Sequence, residues 1–178
     1  ALHRLSELDQ LVRQCCADYD YHRLYVALGN FCTNDLSAFY LDIRKDALYC
    51  DDAMSNRRRA ARTVLDQVFS CLTAWLAPIL CFTAEEAWQA RFPEDDSVHL
   101  RQFPDIPANW RNEALLERWS KIRTLRRVVT GALEVERREK RIGASLQGHP
   151  SVYAPKDYLA ALDGLDAAEI CITSSISL

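Results

Sequence analysis

Apolar residues recur along most of this chain at the i, i+3, i+4, i+7 spacing of amphipathic helices, and alternating runs are few. Leu5, Leu8, Val12 and Cys15 predict a first helix from about Leu2 to Ala17. The stretch "DYDY" interrupts that pattern, and Asp20 is placed to cap a second helix from Tyr21 to about Leu48. Inside it Leu36, Phe39, Tyr40, Ile43 and Ala47 share one face, so Leu36, Phe39 and Ile43 are expected in the core. The loop "YCDDAMSN" leads to Ser55, a candidate N-cap for a third helix from Asn56 to about Leu76. Its inward stripe is Ala61, Val64, Leu65, Val68, Leu72, Trp75 and Leu76.

Pro78 forces a break, and Thr83 with Glu86 reads as a capping box that starts a short helix to about Arg91. "FPEDDSVHLRQFPDIPAN" has little periodicity and reads as an irregular connection. A long helix follows from about Trp110 to Arg141, with Leu115, Trp119, Ile122, Leu125, Val129, Ala132 and Leu133 inward and Gly143 as its stop. The tail changes character: "SVYA" and "EICIT" are short β-type runs separated by a turn or two of helix. The pattern therefore predicts a mainly α fold, a helical bundle over residues 1–143 with a small αβ appendage over 144–178.

Composition adds limits. The chain has 178 residues, 49% hydrophobic and 26% charged, which is globular rather than disordered. No apolar run approaches the roughly 20 residues of a membrane-spanning helix, and "ALHRLSELDQ" lacks signal-peptide anatomy. Cys15, Cys16, Cys32, Cys50, Cys71, Cys81 and Cys171 are odd in number, with no C-x-x-C spacing and mostly at apolar positions. Free thiols in a reducing compartment fit them better than disulfides or a zinc site.

No catalytic pattern stands out: there is no glycine-rich phosphate loop, no H-x-x-x-H and no nucleophile elbow, and the four histidines are scattered over surface or loop positions. Charge is more informative. The net charge is −3, against the basic balance of a dedicated nucleic-acid binder, but its distribution is uneven. "SNRRRAAR" puts Arg57, Arg58 and Arg59 in the first turn of a helix, with Arg62 just after. Cations there oppose the macrodipole, by about 0.3–1 kcal/mol each when exposed. Either Asp46, Asp51 and Asp52 neutralise them, or they face phosphates. A second cluster, Arg118, Lys121, Arg123, Arg126, Arg127, Arg137, Arg138, Lys140 and Arg141, lies along the long helix, offset in that span by Glu134, Glu136 and Glu139. Trp75, Trp88 and Trp119 fall on core stripes, whereas Tyr40 sits at the edge of its face beside Arg44.

Four blocks occur in order: "FCTNDLSAFYLDIRKDALYCD", "RRRAARTVLDQVFSCLTAWLAPILCFTAEEAW", "SVHLRQFP" and "VTGALEVERREKRIGASLQGHPSVYA". Together they resemble the anticodon-binding domain of bacterial isoleucyl-tRNA synthetases over about Tyr21 to Ala154, and the tail resembles the short αβ segment that follows in that family. The sibling valyl, leucyl and methionyl families share the bundle but differ in the first block, and a valyl-type domain is the nearest alternative. The resemblance implies a bundle of the class I synthetase anticodon-binding type. It further implies a cytoplasmic parent enzyme that joins isoleucine to its tRNA with ATP and Mg²⁺. This stretch would hold the anticodon stem-loop of the isoleucine tRNA, its other partner being the catalytic domain of the same parent chain. The family's catalytic domain with its HIGH and KMSKS motifs, its editing insertion and its structural zinc module are absent, and its first bundle helix with an Arg-Asn-Thr block is expected upstream of Ala1. A non-catalytic piece without catalytic residues, metal or cofactor of its own is thus expected, with ATP, Mg and Zn belonging to the full-length parent.

Surface chemistry together with that resemblance marks Tyr40, Arg44, Lys45, Arg57, Arg58, Arg59 and Arg62 as candidate RNA-binding residues. RNA loops are read by stacking and edge hydrogen bonds, while the stem is held by Arg and Lys on phosphates. Pairing of Arg44 to Asp51 or Asp52 is the rival reading. Two other classes stay open: a helical protein-interaction module, which the acidic balance favours, and a small enzyme, which needs a pocket of titratable groups.

Overall fold

The structure, a computed structural model, describes residues 1–178. Its elements are α1 (Leu2–Asp18), α2 (Tyr21–Asn30), a π-helical segment (Phe31–Leu41), α3 (Asp42–Tyr49), α4 (Asn56–Leu76), α5 (Cys81–Arg91), α6 (Glu113–Arg138), α7 (Lys156–Ala160) and α8 (Ala167–Cys171), with short 3₁₀ turns between some of them. The fold is mainly α, as the periodicity predicts. It forms two compact units, Ala1–Arg111 and Asn112–Leu178.

In the first unit, Leu5, Leu8, Val12 and Cys15 of α1 meet Leu24 and Leu28 of α2, Phe31 and Leu36 of the π segment, and Val68, Cys71 and Trp75 of α4. Burying each such aliphatic side chain contributes about 1.5–3 kcal/mol relative to leaving it in water. α1 ends at Tyr19, whose φ of 58° lets the Asp20 amide donate back to the Cys15 carbonyl at 2.9 Å. Asp20 then caps α2 as expected, accepting from the Arg23 amide at 3.1 Å.

α2, the π segment and α3 run on without leaving helical backbone angles. In the middle portion the hydrogen-bonded ring widens to i→i+5. Burial follows that change: Leu24 and Leu28, then Ile43 and Ala47, are four apart, but Phe31 and Leu36 are five apart. The face expected from a 3.6-residue period does not carry through a wider ring. Phe39 is therefore half-buried and outside the core cluster, while Tyr40 packs against it.

Ser55 caps α4 as expected, and α4 stops at Leu76 just before Pro78. α5 starts at Cys81, earlier than the Thr83–Glu86 box implies, with no side-chain cap. Glu85 is turned instead to the following connection, accepting from the Ser97 hydroxyl and the Val98 amide, each at 2.9 Å. Trp88 donates to the Asp96 carbonyl at 3.1 Å, and the Arg101 guanidinium lies 3.9 Å over its ring. Arg101 also donates to the Ser70 hydroxyl of α4 at 2.8 Å. The connection is irregular yet pinned. His3, expected at the surface, is buried 3.4 Å from Glu7.

In the second unit, Asn112 caps α6 by accepting from the Leu115 amide at 2.8 Å. α6 ends at Arg138 rather than near Arg141, because Lys140 takes a φ of 59° and closes the turn. The amides of Lys140 and Arg141 donate to the carbonyls of Arg137 and Glu136, each at 3.0 Å. Gly143, the expected stop, has no left-handed φ. Ile122, Leu125, Val129 and Leu133 are buried, whereas Leu115 and Ala132, expected inward, are exposed. The tail is helical too. "EICIT" forms the end of α8 and its turn, because Asp166 caps the helix through the Ala168 and Glu169 amides at 2.9 and 3.0 Å. The expected αβ appendage is reduced to one isolated parallel bridge, Ser151 to Ser177. α6 shares its core with this tail, Ile122 and Leu125 packing with Ala161, Leu162, Ala167 and Ile170. α6 and the tail thus lie in one compact unit, Asn112–Leu178.

Candidate nucleic-acid interface

The turn from α3 to α4 is organised by two aspartates. Asp52 accepts from the Met54 amide at 2.8 Å through its side chain and from the Ser55 amide at 3.0 Å through its carbonyl. Asp51 accepts Arg57 in a two-point fork, Nε to Oδ2 and Nη2 to Oδ1, both 2.7 Å. It also accepts the Ser55 hydroxyl at 3.2 Å, and its carbonyl takes Nη1 of Arg58 at 2.7 Å. These hydrogen bonds to Arg57 foremost, against the opposing push of desolvation, and then the cation's charge, Ser55 and Arg58, hold the Asp51 carboxyl below its usual range. The compensation that three arginines in a first helical turn require is thus present for two of them.

Arg59 and Arg62 differ. They lie three residues apart on the exposed side of α4, one turn of helix, and their guanidinium groups make no hydrogen bond or ion pair. Lys45 is exposed on α3, 3.6 Å from Asp42. Arg44 is half-buried, its charge close enough to act on the Tyr40 phenol. Tyr40 itself is partly buried, its hydroxyl 3.4 Å from the Ala61 carbonyl of α4. Burial pushes that phenol upward and Arg44 pulls it back. Its ring serves the packing of the π segment on α4 and is no open platform. The aromatic ring that does stand free at this end is Tyr49, 84% exposed at the last position of α3, two residues before Asp51. Its signal in the sequence was its place off the stripe of Ile43 and Ala47.

The second cationic cluster is largely structural. Arg118 donates to the carbonyls of Ala161, at 2.8 Å, and Asp163, just past α7, and Arg126 donates to the Ile170 carbonyl in α8 at 2.9 Å. Cations placed on the carbonyl ends of helices satisfy orphan acceptors and complement the macrodipole. Lys121 lies 3.2 Å from Asp157, whose hydrogen bond raises the lysine's pKa. Read as a row of charges, this helix overstated what is available to a ligand.

Residues 1–153 match the family described as the anticodon-binding domain of tRNA ligase. Over 178 residues, 99% of this chain, it is 58% identical to the isoleucine–tRNA ligase of Agrobacterium fabrum. The corresponding identities are 56% for the isoleucine–tRNA ligase of Brucella abortus and 54% for that of Bartonella henselae. The chain spans 18% of the length of each of these relatives. On the match across most of its length, this chain belongs to the anticodon-binding domain family of tRNA ligases, and the relatives it matches are isoleucine–tRNA ligases.

Proposed function

We propose that this domain grips the anticodon stem-loop of an isoleucine tRNA with the end of the bundle where α3 turns into α4. Arg59 and Arg62 are the phosphate-binding cations, Lys45 and Arg44 flank them in chain order on α3, and Tyr49 supplies the ring on which an unpaired base stacks. Arg57 and Arg58 act indirectly, by holding the turn through Asp51, and Tyr40 by packing the π segment on α4. The observation that carries this reading is the contrast within one run of arginines: Arg57 and Arg58 are tied to Asp51, while Arg59 and Arg62 face water without a partner. The longer protein would join isoleucine to that tRNA in the cytoplasm, with ATP and Mg²⁺ at a catalytic domain elsewhere in the parent chain. ATP, Mg²⁺ and structural zinc are assigned, in this reading, to the remainder of the parent.

The test is a fluorescence titration with two stem-loops on one stem, carrying the anticodon GAU or a mismatched one, between about 50 and 200 mM salt. GAU is expected to bind more tightly, and Arg59→Glu with Arg62→Glu is expected to weaken both by at least about tenfold without lowering the melting temperature. Binding of the variant at the wild-type level would sink the assignment, and binding indifferent to salt would favour a protein-interaction module.

A further inference from the structure

The turn that ends α6 encloses an open cleft of about 460 Å³, lined by Glu134, Arg137, Arg138, Lys140, Ile142 and Gly143. Three cations face one carboxylate, and the pairings leave a surplus. Arg137 is held by Glu134 at 2.9 Å, and Arg141, outside the cleft, is bound by Glu136 and Glu139. Arg138 and Lys140 have no partner. Lys140 stands at the closing position of the helix turn with φ 59°, where a glycine would fit without a Cβ penalty. Tyr19 and Ile172 close their helices in the same conformation, so the backbone alone marks no site. What sets Lys140 apart is that it lines the same open cleft as Arg137 and Arg138.

Resting on the RNA-binding reading above, we infer that this cleft is a second RNA contact in the domain, taking a phosphodiester of the RNA backbone between Arg138 and Lys140, with Arg137 steered by Glu134. Two unpaired cations on a concave surface suit a bridging phosphate, which offers acceptor oxygens to both and carries no base information. RNA is favoured over an acidic peptide because the cleft is short and its three cations fall within four residues, matching one phosphate rather than a spaced row of carboxylates.

The experiment measures binding of the full 178-residue chain to a complete isoleucine tRNA transcript at several salt concentrations, for wild type, Arg138→Gln with Lys140→Gln, Lys140→Gly alone, and Arg59→Glu with Arg62→Glu. Each lost phosphate contact lowers the slope of log K against log salt by about 0.7–0.9. The Arg138/Lys140 variant is expected to flatten the slope by about that amount or somewhat more, with unchanged preference for GAU. Lys140→Gly is expected to weaken binding while raising the melting midpoint by about 2–4 °C, which separates lost contact from lost fold. If the Arg138/Lys140 variant keeps the wild-type slope while the Arg59/Arg62 variant loses binding, the cleft is no RNA contact and the anticodon reading stands. If the Arg138/Lys140 variant flattens the slope while the Arg59/Arg62 variant binds normally, the cleft stands and the anticodon-face assignment falls. Equal loss of poly-glutamate and of RNA affinity on changing Arg138 and Lys140 would overturn the assignment to RNA.

Discussion

Asp51 accepts both arms of Arg57 and the Ser55 hydroxyl, and its backbone carbonyl holds Arg58, so one carboxylate joins the end of α3 to the cap of α4. Its pKa is lower in the fold than the ordinary 3.8. A carboxyl depressed in this way stabilises the fold fully above its unfolded value, and the contribution fades as pH falls through the lower folded value. Urea unfolding of wild type and Asp51→Asn is therefore expected to differ most near pH 7, with the gap closing below about pH 4. A gap that stays constant from neutral to acid pH would mean that Asp51 acts only as a neutral acceptor. The same residue explains why reversing Arg57 and Arg58 is expected to loosen the turn, where reversing Arg59 and Arg62 leaves it intact.

At the scale of elements, the π segment decides which aromatic is core. Leu36→Ala is expected to cost about 2–5 kcal/mol, and Phe39→Ala distinctly less than the about 3–5 kcal/mol of a buried phenylalanine. Comparing the two by chemical denaturation checks the register, and the reverse order would restore an unbroken α-helical face. The stripe of α1 was legible because burial there follows 3.6-residue geometry, and that of α4 only in part, since Ala61, Val68 and Trp75 are buried but so are Cys71, Thr73 and Ala74 off the stripe; Asp20 and Ser55 were legible because capping is a local interaction. Phe39 was misplaced because ring width is not written in any one residue. Thr83 and Glu86 have the letters of a capping box, but the helix starts at Cys81 and Glu85 answers to Ser97 and Val98, contacts twelve and thirteen residues away. "EICIT" has β-type composition, yet the Asp166 cap and the apolar face offered by α6 make it helical. At the candidate interface, the arginine run was visible, but its split into tied and untied members depends on the fold of the turn, as does the exposure of Tyr49.

For the molecule as a whole, net charge is a poor guide: the chain is at −3, yet unpaired cations stand on α4 and in the cleft at the end of α6. The seven cysteines are all free thiols, and burial, with the charge of Asp9 second, pushes Cys71 up to about 11. Cys50 and Cys81 are exposed. With a thiol reagent at about pH 8, these two are expected to react first in the native protein, and Cys15, Cys71 and Cys171 only on unfolding; early labelling of Cys71 by peptide mapping would contradict the packing of α4. Within the second unit, the arginines of α6 that grip the carbonyls of Ala161 and Ile170 also tie the short tail helices to α6. α7 and α8 have five residues each, far short of the about 12–15 at which an isolated helix holds in water. Their helical form therefore depends on α6, whose apolar face and guanidinium donors supply what five residues alone lack.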